Sequence, residues 1–155
     1  MSDPESTDTS PHLPLLEESM EFHQGEPTPS WRGVIHLAIL PVAIIAGIVL
    51  IVLADGVAAT ITSAIFAVSS WLLFGISGTY HRFTWGPKAK VILKRLDHAN
   101  IFLLIAGTYT PIAWLALPHD KAVFLLSLIW GGALLGIGFR VFWIHAPRWL
   151  YVPIY

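Results

Sequence analysis

An all-α, polytopic transmembrane helical bundle is the fold class this sequence predicts, with four crossings and the start of a fifth. Three observations predict it. Hydrophobic residues make up 55% of the 155-residue chain and charged residues only 12%, about half the charged share of soluble domains. Mean hydropathy is +0.66, so the chain would aggregate in water unless lipid covered it. Four apolar stretches are each long enough to cross roughly 30 Å of hydrocarbon. No period-two alternation of strand length is present, which argues against a membrane β-barrel. Cysteine is absent, so disulfides and thiolate metal sites are excluded.

Residues 1–30 hold seven of the ten acids, five prolines and no Lys or Arg. Such a composition buries too little apolar surface to offset the entropy of ordering, and predicts a disordered acidic tail containing His12 and His23. It lacks the basic start and apolar core of a signal peptide. Residues 31–155 are expected to form the membrane domain. Trp31-Arg32 marks an interface, since aromatics and cations gather at headgroup depth.

The first crossing is predicted at about 34–54, with His36 in its first turn and Pro41 expected to kink it. Asp55-Gly56 is a tight turn. The second crossing, 57–80, carries Ser69, Ser70, Gly75, Ser77, Gly78 and Thr79 in its later half, small and hydroxyl residues that let helices approach closely. His81 closes it. Residues 82–96 are expected as a polar loop with Arg82, Lys88, Lys90, Lys94 and Arg95. The third crossing, 97–117, contains Gly107-Thr-Tyr-Thr-Pro111, where a kink with inward-facing hydroxyls is expected. After the turn Pro118–Lys121, the fourth crossing, 122–144, has Gly132 and Gly136 as a small-xxx-small pair suited to close packing or self-association. Arg140 is expected to snorkel towards the nearer end. His145–Arg148 is a loop, and Trp149–Tyr155 opens another segment.

Crossings alternate sides. Arg32, Arg82, Lys88, Lys90, Lys94, Arg95, Arg140 and Arg148, eight of the nine Lys and Arg, therefore fall at one side, with Lys121 alone at the other. Positive loops stay cytoplasmic, which predicts a cytoplasmic N-terminus in the plasma membrane. The basic loop can meet anionic lipid or simply fix topology. Membrane lipids are the expected partners, and no nucleic-acid partner is expected.

The chemistry gathers at the basic side. Ser77 and His81 are four apart and share a helix face, and Asp97 starts the next crossing at the same depth. One reading is a zinc site in the cytoplasmic leaflet, with His81 as ligand and Asp97 holding a zinc-bound water or orienting the site. The other is capping and dipole complementarity at helix ends. Spacing alone favours the second, because tetrahedral zinc takes three or four ligands. His98 points about 100° away from Asp97 round the helix and is no ligand, and His119 lies on the opposite side. His36 either lines the same cavity or snorkels outward. Thr108, Tyr109 and Thr110 line a cavity or satisfy carbonyls loosened by Pro111.

Ser77-Gly-Thr-Tyr-His81, followed by Leu96-Asp-His-Ala-Asn-Ile-Phe-Leu-Leu-Ile-Ala-Gly-Thr-Tyr-Thr-Pro111, resembles the bacterial hemolysin III proteins, which belong with the progestin and adipoQ receptors. Trp31–His36 and Pro147–Tyr151 also resemble segments of that branch. The resemblance implies a seven-helix bundle with its N-terminus inside. It also implies a zinc site built from a histidine of the second helix and a histidine pair near the end of the seventh. The first falls on His81, the supporting serine on Ser77 and the aspartate on Asp97. The pair has no counterpart here, so the chain is expected to be an incomplete family member lacking a complete metal site. The wider family resembles membrane zinc hydrolases of the alkaline ceramidase type. Family members are also named for haemolytic, pore-forming activity. Three readings follow: a hemolysin III-type protein with latent zinc-hydrolase chemistry, a lytic pore, and a non-functional fragment of either.

Overall fold

The computed structural model of the chain describes residues 30–142. The acidic tail with His12 and His23, the loop with His145 and Arg148, and the opening of a fifth segment lie outside those residues. Four helices follow in order: α1 (Ser30–Leu53), α2 (Val57–Arg82), α3 (Pro87–Ala116) and α4 (His119–Phe142). All four are long and apolar enough to cross a membrane.

The turns are short because each carries a residue that stops a helix. Ala54, Asp55 and Gly56 join α1 to α2, with Gly56 at φ +84°, a conformation that side chains resist. Phe83–Gly86 join α2 to α3, and Leu117-Pro118 join α3 to α4. The expected polar loop over 82–96 is therefore largely helix. Pro87 occupies the first turn of α3 just after Gly86, where proline's missing N–H costs nothing. The Lys, Ala, Ile, Leu and Arg that follow are mostly good helix formers. Lys88, Lys90, Lys94 and Arg95 ride on the helix that leads into the third crossing. The fourth helix likewise starts early, with His119, Asp120 and Lys121 in its first turn.

Both α1 and α3 run through their prolines, Pro41 and Pro111. Pro111 cannot donate to the Gly107 carbonyl. Around it, the Thr108 and Thr110 hydroxyls donate to the Leu104 and Ala106 carbonyls at 2.7 Å each. Of the three residues expected to face inward, Thr110 is buried, Thr108 is partly covered and Tyr109 is exposed.

Substantial packing runs between consecutive helices: α1 on α2, α2 on α3 and α3 on α4. The buried positions are small or polar, among them Ala67, Ala99, Ala106, Ala113, Ser69, Ser77 and Asn100, while Ile, Leu and Val point outward. That inversion of the soluble pattern is what a lipid solvent favours, since apolar side chains gain nothing by leaving lipid and close backbone approach does the holding. Gly107 sits so close to Ser69 that a Cβ there would overlap the serine hydroxyl. Trp71 Nε1 donates to the Ala43 carbonyl at 2.9 Å, binding α2 to α1. Trp130 Nε1 donates to Thr110 Oγ1 at 3.1 Å, binding α4 to α3. The glycine pair of α4 is divided in use: Gly136 lies against the Phe102 ring of α3, and Gly132 has open space.

Candidate functional site

The end of α2 that carries His81 is gripped from two sides. On one side α1 approaches through Gly33, where a Cβ would stand 2.8 Å from backbone atoms of His81 and Arg82. One turn deeper, Gly78 admits Leu37 of α1, which a Cβ would meet at 2.8 Å. On the other side stands α3. Its Asn100 reaches across to donate to the Leu72 carbonyl at 3.2 Å, fixing the register of the two helices at this depth.

That register brings His81 and Asp97 together. His81 Nε2 lies 3.6 Å from an Asp97 carboxylate oxygen, just beyond hydrogen-bond length. His81 and Asp97 are each 8% exposed, and Ser77, one turn before His81, is 2% exposed. The shared face expected from the four-residue spacing is therefore buried. Ser77 makes no hydrogen bond to either partner among the described residues. The Tyr80 ring meets the His81 ring edge-on, centroids 4.6 Å apart.

Neither ring nitrogen of His81 has a hydrogen-bond partner, though both are buried. His36 of α1 repeats the pattern. Its Nδ1 is buried and unpartnered, its ring packs edge-on against Phe74 at 5.5 Å, and it shares with Arg32 and Asp97 the electrostatic surroundings of His81. Of four buried, unpartnered side-chain polar atoms among the described residues, three are imidazole nitrogens at this corner. Buried polar groups normally find partners, and these three stand together at one corner of the bundle.

The other histidines are elsewhere. His98 turns back on its own helix, with Nδ1 2.7 Å from the Lys94 carbonyl oxygen. His119 stacks edge-on against Trp114 at the opposite end. Sequence reasoning missed Asn100, although an amide three residues after a candidate acid in an apolar run is a usable signal. It also missed Gly33, whose contact follows only from the packing of α1. An apolar cleft of about 410 Å³, lined by Ile61, Ile65, Val68, Leu103 and Trp130 among others, opens between α2 and α4 away from the polar corner.

A zinc ion needs three or four donors. His81 and Asp97 supply two, and among the described residues no third His, Asp or Glu joins them at ligating distance. The donor types and the orphaned imidazole fit such an ion; the number present here does not complete its shell.

No solved structure matches the chain significantly. Hemolysin-3 of Bacillus cereus is 37% identical over 87 residues, 56% of this chain and 39% of that protein. A hemolysin-3 homolog of Bacillus subtilis strain 168 is 40% identical over 84 residues, 54% of this chain and 39% of its own length. The match thus spans about two-fifths of these relatives. The haemolysin-III related family model matches residues 25–155, essentially all of the membrane domain. Four apolar helices and a motif-bearing polar corner agree with that match, and the chain belongs to the haemolysin-III related family of multi-pass membrane proteins.

Proposed function

We propose that the corner formed by His81, Asp97 and Ser77 is part of a zinc site at the cytoplasmic ends of α2 and α3, serving hydrolase-type chemistry in the complete fold. The observation that supports it most is the buried His81 ring, with both nitrogens unpartnered and one of them 3.6 Å from a carboxylate. Zinc bound there supplies Lewis-acid activation of water. The chain's own residues do the rest: His81 offers a ring nitrogen, Asp97 accepts a proton or a hydrogen bond beside it, and Asn100 holds α3 in place. Ser77 lies one turn away as a further polar group. The remaining ligands come from outside the described residues.

The test is metal analysis of a purified full-length relative carrying the same motif, with the substitution that corresponds to His81→Ala. Stoichiometric zinc in the parent and its loss in the variant support the reading; zinc retained in the variant refutes it.

The cytoplasmic placement rests on charge. Seven of the eight Lys and Arg among the described residues lie at one end of the bundle, with Lys121 alone at the other. The cysteine-free sequence allows a direct check. In intact cells an impermeant maleimide labels a Lys121→Cys variant and leaves Lys88→Cys unlabelled; the reverse pattern inverts the bundle.

The names of the Bacillus relatives speak of haemolysis, and a lytic pore is the second reading. It requires dye release from liposomes that survives His81→Ala. The zinc reading requires no such release.

A further inference from the structure

α3 is longer than a bilayer demands. Its 30 residues rise about 45 Å at about 1.5 Å each, against roughly 30 Å of hydrocarbon. The surplus lies at the basic end, where Lys88, Lys90, Lys94 and Arg95 occupy the first turns. This stretch is held against α4 rather than projecting freely. Arg95 Nη1 donates to the Val141 carbonyl of α4 at 3.4 Å. The Nε of the same guanidinium is buried without an acceptor. One turn deeper sits His98, and both Lys94 and Arg140 of α4 are near enough to act on it as charges.

Positive groups from two helices therefore lie close together where α3 meets α4. The acid described at this end, Asp97, also lies near enough to act on His98 as a charge, but its carboxylate approaches His81 of α2. A half-buried guanidinium whose Nε–H has no acceptor calls for an anionic one, and phosphate oxygens match its fork geometry. At this depth, where α3 meets the hydrocarbon, the abundant phosphate is that of the lipid itself. Further along the outer surface of α4, Leu134 and Leu135 are exposed and offer a bed for acyl chains.

We propose that the cationic junction of α3 and α4 at the basic end seats the headgroup phosphate of an anionic phospholipid, with Arg95 as its central donor and Lys94 and Arg140 flanking it. Basic pockets between transmembrane helices are a recurrent form of lipid recognition. The seat is distinct from the His81–Asp97 corner, so either assignment stands or falls without the other.

The experiment is a lipid titration of the purified full chain in detergent, followed by native mass spectrometry, with phosphatidylglycerol and phosphatidylcholine of matched acyl length. Phosphatidylglycerol binds about tenfold more tightly, and Arg95→Gln or Arg140→Gln each brings the two lipids within about twofold. Lys88→Gln, further out on the helix, keeps the preference. Millimolar glycerol phosphate does not displace the lipid. Circular dichroism reports whether each variant folds, and the variants from opposite helices give two independent readings. Equal affinity of the parent for both lipids overturns the proposal, as does retention of the preference in both Arg variants. A loss with Lys88→Gln as large as with Arg95→Gln replaces the seat by diffuse attraction. Displacement by glycerol phosphate makes it a site for soluble phosphate esters.

Discussion

The first helix and the seam between α2 and α3 live in the same lipid but are built from contrasting residues. In the most apolar stretch of α1, 6% of positions are buried; in that of α3 the share is 33%. α1 spreads Ile, Val and Leu outward and touches its neighbour through Gly33, Gly47 and Leu37. The seam is lined by Ser69, Ser77, Asn100, Ala106 and Gly107, with an imidazole and a carboxylate at its end. The difference teaches where specificity comes from when water is absent. Apolar area holds α1 in the bilayer without saying which neighbour it should meet. Small residues and hydrogen bonds define the seam, because they gain only when one particular helix arrives in one particular register.

The seam should therefore break hardest. Gly107→Leu forces a side chain into Ser69 and the backbone behind it. We expect a loss of about 3 kcal/mol or more, seen as an early transition when detergent-solubilised protein is unfolded in SDS and followed by circular dichroism. Gly107→Ala combined with Ser69→Gly should recover part of what Gly107→Ala alone loses; no recovery would place the strain elsewhere. Asn100→Leu removes the tie to the Leu72 carbonyl and should cost about 1 kcal/mol by the same assay. The α1 side offers a smaller counterpart. Trp71→Phe deletes the bond to the Ala43 carbonyl at a cost of roughly 0.6 kcal/mol. Its signature should be faster labelling of a cysteine placed on the buried side of α1, with the seam unchanged. Val52→Ala, on the outward face of α1, should stay within about 0.5 kcal/mol of the parent. A large effect there would mean that α1 has a partner on that face.

The four crossings and the Asp55-Gly56 turn were legible from apolar run length and one glycine, because a bilayer sets length so tightly. The start of α3 was not. Charge reports depth rather than backbone conformation, and the cations from Lys88 to Arg95 suggest a loop although Gly86-Pro87 announces a helix. The pairing of His81 with Asp97 was readable from their matched depths on successive helices. The role of Asn100 depended on how the helices are rotated against each other. The glycines show the same limit from the other side. Gly132 and Gly136 form a clear pattern, yet only the packed chain reveals that Phe102 takes one and leaves the other open.

The three-residue turn around Gly56 has a consequence for biogenesis. α1 and α2 are tied so closely that they must enter the bilayer together, as a hairpin folding at its tip. If the basic end stays behind, the tip is what crosses, and it carries a single charge, Asp55. Dragging one carboxylate through the centre costs about 3 kcal/mol, a small toll beside two apolar helices arriving at once. A lysine pair at the same turn would meet both that barrier and the charge bias of topology, and would be the simplest way to strand the hairpin on the wrong side.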